Sequence, residues 1–279
     1  MVKWVNNMTQ YKLGTTGWCI PSGNQYLMEL SKWLGLDALQ LEIGNYEKGL
    51  SLCQKPVQDL LLADSKRLGI QLLPLALNSL CEYGIVEDFD STNGIIAKEI
   101  IEKGIQIASD MQLGGVTIPS FFASEIKNEK DYANTVVFLK YACELATPLG
   151  LSVYTENILD VKEQNKLFED VGSDCLLLLF DSQNYTVFNK TCAVEVLKAH
   201  YNRLGTCIHL KDGGAMGSML LGEGQSPFAE IMQVLRENAY EGSIIIENNY
   251  SEKPLSLDNP DYFENLRKDI ATVKTHMGN

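Results

Sequence analysis

Along this chain an amphipathic stretch, a Leu-Gly pair and a short apolar run recur in that order. Leu34-Gly35, Leu68-Gly69, Leu113-Gly114, Leu149-Gly150 and Leu204-Gly205 each close such a stretch. Glycine takes the left-handed conformation just past a helix end at little cost, so these pairs predict five helix C-termini, each feeding a strand. The apolar runs are YKLGTTG (11–17), DALQLEIG (37–44), IQLLPLAL (70–77), GGVTIPS (114–120), LSVYTEN (151–157), CLLLLFD (175–181), TCIHLKD (206–212) and SIIIENN (243–249). Between them NQYLMELSKWLG (24–35), KPVQDLLLADSKRLG (55–69), YANTVVFLKYACELATPLG (132–150) and SPFAEIMQVLRENAY (226–240) repeat apolar residues at three- and four-residue steps, the period of a helix. A last helix is predicted within 259–277, with Asn259 as its cap and Pro260 at its first position.

Eight strands alternating with helices over about 250 residues predict a (β/α)8 barrel, an α/β fold built as a single domain over 1–279. The rival is a doubly wound open sheet. Such a sheet usually carries a glycine-rich nucleotide loop after its first strand, and GTTGWCIPSGN (14–24) has neither the G-x-G-x-x-G nor the P-loop pattern.

Size agrees with one large core, because a chain of 279 residues with 45% hydrophobic content buries roughly 75% of its unfolded surface. Charge narrows the partners. Thirty-six acidic residues against 23 basic ones leave a net charge of -13, and no basic run offers a patch for phosphate backbones or anionic lipid. Nucleic acid and membrane are therefore not expected as partners; a homo-oligomer stays open. The seven cysteines form no C-x-x-C pair and sit mostly in apolar company, which suits a reducing compartment. The start, MVKWVNNMTQYKLG, lacks the apolar core of a signal peptide, and no run of about 18 apolar residues occurs, so a soluble cytoplasmic protein is expected.

In a barrel of this kind the C-terminal strand ends point into the active-site mouth. The last four predicted strands end on Glu156, Asp181, His209 and Glu247, each directly after its apolar run. A charge placed there is costly unless paired or coordinated, and three converging carboxylates repel one another unless a cation holds them ionised together. An oxygen-rich set with one imidazole suits Mn2+, Mg2+ or Co2+ better than a closed zinc site, with Zn2+ still admissible. The alternative is a hydrogen-bonded polar plug that binds no metal.

TEN (155–157), FDSQN (180–184), HLKD (209–212) and LGEGQSPFAEIMQVLRENAYEGSIIIEN (221–248) resemble the sugar phosphate isomerase/epimerase group of xylose isomerase-like barrels, which includes ketose 3-epimerases, inosose dehydratases and hydroxypyruvate isomerases. The resemblance implies one divalent metal held by Glu156, Asp181, His209 and Glu247, with the two glutamates also working as an acid/base pair on a small sugar or polyol. A cation on a carbonyl and its neighbouring hydroxyl acidifies the C–H between them; a carboxylate removes that proton and an enediolate results. Two positions depart from the group's ketose epimerases. Asn184 stands where a histidine is usual, and residues 210–225 hold no arginine. Asn184 and Lys211 are the expected replacements for those contacts to a sugar oxygen. Only His200, His209 and His276 occur, which excludes the histidine-rich, multi-zinc endonuclease branch of the fold.

Other candidates carry two readings each. Glu42 binds substrate or caps a helix in solvent. Lys211 contacts substrate or pairs locally with Asp212. Trp18 and Tyr185 stack on a sugar or, for Trp18, pack a loop. His200 is read as a surface residue of a helix, and His276 receives no role. Two further functions use the same residues: an inosose dehydratase-like lyase, and a sugar-binding barrel without catalysis.

Overall fold

The computed structural model describes residues 11–188, 191–214 and 217–278. The first ten residues, most of the stretch read above for a signal peptide, lie outside the described residues. The order is β1 (Lys12–Thr16), α1 (Asn24–Trp33), β2 (Ala38–Gln40), α2 (Lys55–Leu68), β3 (Gln71–Leu72), β4 (Leu75–Ala76), α3 (Thr92–Asp110), β5 (Gly115–Pro119), α4 (Glu129–Ala146) and β6 (Ser152–Glu156). It continues with α5 (Val161–Val171), β7 (Leu176–Leu178), α6 (Asn184–Val187), α7 (Ala193–Ala199), β8 (Cys207–Leu210), β9 (Asp212–Gly214), β10 (Gly217–Met219), α8 (Phe228–Glu237), β11 (Ser243–Ile246), α9 (Leu255–Asp258) and α10 (Tyr262–Met277).

Parallel strands pair in the orders β3-β2-β1-β11-β8 and β4-β5-β6-β7. Single bridges from Glu42 to Ala76, Leu178 to Leu204 and Asp181 to His209 join the two sheets at both seams. β3 and β4 are halves of one barrel strand interrupted at Leu73-Pro74, where proline has no N–H for the ladder. The closed ring therefore has the eight strand positions that the alternation predicts, and it is a (β/α)8 barrel. β9 and β10 form an antiparallel hairpin in the loop after β8.

Side chains two apart along a strand share a face, so the barrel interior fills in layers. A lower layer is apolar: Ala38, Leu73, Tyr154, Leu179, Cys207 and Ile245 pack as one buried cluster. Two residues further along their strands stand Gln40, Glu156, Asp181, His209 and Glu247. The polar layer thus rests directly on the apolar plug. Two larger clusters lie between strands and helices and supply the rest of the core.

Four of the predicted Leu-Gly stops place their glycine at positive φ, at Gly35, Gly69, Gly114 and Gly150. Gly205 does not. A Cβ there would sit 2.1 Å from the Tyr154 ring, so this glycine makes room for the residue that fills the barrel floor. The end of α5 uses Gly172 instead, at φ 66. The last helix also starts later than expected: Asp261 is its cap, accepting from Glu264 N, while Asn259 accepts from Asp261 N in the turn before it. His200 corrects a second expectation. It closes α7 and is 3% exposed, because α5 brings Asn165 within 3.1 Å of its Nε2. Among the described residues no helix is long and apolar enough to cross a membrane.

Candidate metal centre

Glu156, Asp181 and His209 are buried and Glu247 is half-buried, and one donor atom from each lies within 4.8 Å of the others. The strand pattern delivers them from the fifth to the eighth barrel strands. Glu156 ends β6, Asp181 follows β7 and bridges to β8, His209 lies within β8, and Glu247 follows β11 while its N–H still bonds to Leu210 O.

Hydrogen bonds decide which atom of each residue faces the cluster. Gln40 donates its amide to Pro74 O at 3.0 Å and Thr117 Oγ1 at 3.2 Å, which leaves its Oε1 to accept from His209 Nε2 at 2.6 Å. Nδ1 of His209 is then turned toward the carboxylates, 3.0 Å from Glu247 Oε2 and 3.8 Å from Glu156 Oε1. Asp181 Oδ1 accepts from Gln183 N at 2.8 Å and Asn184 N at 2.6 Å, so Oδ2 faces inward. Trp18 Nε1 donates to Glu247 Oε1 at 3.1 Å, and Asn184 Nδ2 donates to Glu156 Oε1 at 3.2 Å.

His209 Nδ1 and Asp181 Oδ2 are buried without a hydrogen-bond partner. Their charged neighbours are close but misaligned, with Lys211 Nζ 3.2 Å from Asp181 Oδ2. Two unsatisfied buried atoms converging with two more carboxylates fit a cation with oxygen and nitrogen ligands. The electrostatics agree. Burial pushes the Glu156 carboxyl up to about 7 against the pull of His209, and burial likewise raises Asp181. Burial acts upward on Glu247 too, but Lys211 and His209 overcome it and hold that carboxyl well below the usual range.

The chain just after each glutamate is pinned by an asparagine, which gives the two E-N pairs a physical reason. Asn157 donates to Thr155 Oγ1 and accepts from Leu159 N at 3.0 Å. Asn248 accepts from Asp212 N at 2.9 Å and donates to Asp269 Oδ2 at 2.7 Å.

Above the cluster opens a cavity of about 690 Å³ whose lining includes Trp18, Asn184, Lys211, Glu156 and Glu247. Glu42 lies outside that lining. It accepts from Asn78 Nδ2 at 3.2 Å and borders a neighbouring cavity of about 260 Å³ that shares Trp18. Tyr185 is fully buried and stacked on Phe180, with ring centroids 5.9 Å apart, so it offers no face to the mouth. The local Lys211–Asp212 pair is not formed. Lys211 turns to Asp181 and Glu247, whereas the Asp212 carboxylate accepts from Gly213 N, Ser226 N, Gly222 N and Gly224 N at 2.8–3.2 Å. Gln40 was not singled out from the sequence; a glutamine inside an apolar run was its signal.

The model of the xylose isomerase-like TIM barrel family matches residues 28–271. The chain belongs to this family. Within curated proteins, a 2-epi-5-epi-valiolone 7-phosphate 2-epimerase of Actinoplanes sp. is 26% identical over 247 residues, covering 86% of this chain and 88% of the relative. An inosose dehydratase of Clostridium perfringens is 29% identical over 223 residues, covering 70% of this chain and 71% of the relative. Of the solved structures, D-psicose 3-epimerase of Clostridium cellulolyticum H10 superposes with a TM-score of 0.77 at 15% identity, covering 95% of this chain and 99% of that one. At that identity the likeness is one of fold.

Proposed function

We propose that this xylose isomerase-like barrel is a divalent-cation-dependent isomerase or epimerase that moves a proton on and off a carbon beside the carbonyl of a ketose, hydroxy-ketone or polyol-derived ketone. One observation carries the reading: two carboxylates from different strands, Glu156 and Glu247, join Asp181 and His209 in a cluster whose donor atoms lie within 4.8 Å of one another, and both line the open mouth. Glu156, Asp181, His209 and Glu247 are the ligands in this reading, for Mn2+, Mg2+ or Co2+, with Zn2+ admissible. The bound ion makes the C–H between a carbonyl and its neighbouring hydroxyl more acidic.

The chain's own residues do the rest. One glutamate takes the proton and the other returns it. Return to the opposite face gives an epimer; return to the adjacent carbon gives an isomer. Asn184 steadies Glu156, Trp18 steadies Glu247, and both line the mouth with Lys211, where they meet sugar oxygens. Glu42 reaches the substrate only through the neighbouring cavity that Trp18 borders. The epimerase relative, matched over most of both chains, supports this class.

A lyase is the second reading, favoured by the inosose dehydratase relative. It shares the first proton removal and then expels a neighbouring hydroxyl as water, so product analysis separates the two. A cyclitol ketone therefore belongs beside ketoses in the substrate panel. Binding without catalysis is a third outcome, in which replacing both glutamates leaves ligand affinity unchanged.

The reading requires about one divalent ion per chain, measured by elemental analysis of purified protein. His209→Ala removes a ligand outright, so Mn2+ affinity is expected to fall by more than the roughly 10- to 100-fold that losing an outer-shell partner costs. Protein without metal that gains neither binding nor activity with Mn2+ or Co2+ would sink the idea.

The surroundings predict substrate charge. Lys211 is the single cation among the described residues lining the mouth, and Glu125 and Glu252 line it as well. Phosphoryl recognition usually gathers several Arg or Lys donors. Kinetics on matched pairs are expected to favour the neutral sugar or polyol ketone in kcat/KM. A large preference for the phosphorylated member would overturn that expectation.

A further inference from the structure

Beside the three carboxylates and the imidazole sits an ammonium. Lys211, just beyond β8, places Nζ 3.0 Å from Glu247 Oε2 and 3.2 Å from Asp181 Oδ2. The other oxygens of those carboxylates are already engaged, Asp181 Oδ1 by two backbone N–H groups and Glu247 Oε1 by the Trp18 indole. The ammonium therefore rests on the two oxygens left for a cation. His209 Nδ1, 3.0 Å from the same Glu247 Oε2, marks the same spot.

We infer that Lys211 is the resident counter-ion of this centre: its ammonium and a divalent cation compete for Asp181 Oδ2 and Glu247 Oε2, and entry of the ion moves Nζ into the mouth. The inference rests on reading the quartet as a divalent-cation centre. Lys211 Nζ meets one oxygen of Asp181 and one of Glu247 and leaves the Glu156 carboxyl to Asn184, so a single ammonium reaches only part of the donor set that gathers within 4.8 Å. An ammonium and a divalent ion on the same pair of oxygens would repel strongly in a water-poor site. Of the two, the lysine has an exit, because its four-carbon stem is flexible and its side chain already borders the cavity. Without the ion, Lys211 keeps the carboxylates from driving each other apart. With the ion bound, it is a free donor placed beside the substrate.

The test is calorimetric titration of chelator-stripped protein with Mn2+, for the natural chain and for Lys211→Met, which keeps the length and drops the charge. A unit charge this close changes a carboxylate's affinity for a proton by about one to three powers of ten. Removing the competitor is therefore expected to tighten Mn2+ binding by about tenfold or more. A lysine that merely orients the carboxylates has the opposite sign, and equal or weaker binding in the variant overturns the inference while leaving the metal centre standing. Failure of both proteins to bind Mn2+ removes the metal reading and the inference together. A second arm uses the natural chain alone, so it does not depend on the variant folding. Trinitrobenzenesulfonate modification of Lys211, followed by peptide mass, is expected to be slow in stripped protein and several-fold faster with Mn2+. Unchanged or slower modification on adding Mn2+ counts against the exchange.

Discussion

Glu247→Gln is expected to lower kcat by roughly 10²- to 10⁴-fold, the usual worth of a positioned general acid or base. Glutamine keeps the shape but has a single oxygen, which serves either the cluster or the Trp18 indole, so the variant loses charge, basicity and one of those two contacts. Glu156 stays in place on its own strand, held by Asn184. It is expected to go on exchanging the substrate proton from its side, so exchange outlives net conversion in this variant. The measurement is NMR of substrate incubated in deuterated water with the natural chain, Glu247→Gln and Glu156→Gln. The natural chain should place deuterium on the reacting carbon, since a carboxylate can trade its proton with water before returning it. Metal content of each variant, read beside His209→Ala, separates loss of the base from loss of the ion. Turnover with no deuterium in the product points to a hydride shift or a shielded proton. Unchanged turnover in both glutamine variants takes the glutamates out of the chemistry.

The glutamates were legible because strand periodicity carries its own geometry. Once LSVYTEN, CLLLLFD, TCIHLKD and SIIIENN are read as neighbouring strands, alternate positions share a face, and Glu156, Asp181, His209 and Glu247 fall two residues beyond Tyr154, Leu179, Cys207 and Ile245. What escaped depends on contacts between distant segments. His200 looks like an exposed helical residue until α5 packs Asn165 against it. Tyr185 sits just past a strand, yet the turn into α6 folds it back onto Phe180. Leu204-Gly205 does follow a short 3-10 turn over Tyr201–Arg203, but its glycine is not in the left-handed conformation and answers to the Tyr154 ring, 51 residues earlier. Trp18 is the intermediate case: its loop position was visible, while its bond to Glu247 required the ring to close between β1 and β11.

Asp212→Ala is expected to cost about 3–5 kcal/mol, because it takes the acceptor from four backbone N–H groups and a buried donor left unpaired costs about 1–3 kcal/mol. The HLKD stretch offers Asp212 as a local partner for Lys211, and its surroundings say otherwise. Asp212 is fully buried, and its two oxygens accept four backbone N–H groups from Gly213, Gly222, Gly224 and Ser226. Those bonds gather Gly213, Gly222, Gly224 and Ser226 around one carboxylate, next in the chain to Lys211. Gly224 is needed because a Cβ there would lie 2.1 Å from Asp212 Oδ1, so the aspartate and the later L-G-E-G turn specify one another. Alanine leaves the donors to water or to nothing, at about 1–3 kcal/mol for each one that stays dry. Asp212→Asn keeps an oxygen for one pair of donors and turns an amide N–H₂ toward the other, so a smaller loss is expected. For a chain of this size each kcal/mol moves Tm by about 2–4 °C, which puts the alanine variant on the order of 10 °C below the natural chain. Thermal unfolding with equilibrium denaturation reads the energy, and limited proteolysis reads the loop, with new cleavage expected inside 213–226. An alanine variant that melts within a degree or two of the natural chain and resists cleavage there would show that this carboxylate does not hold the loop.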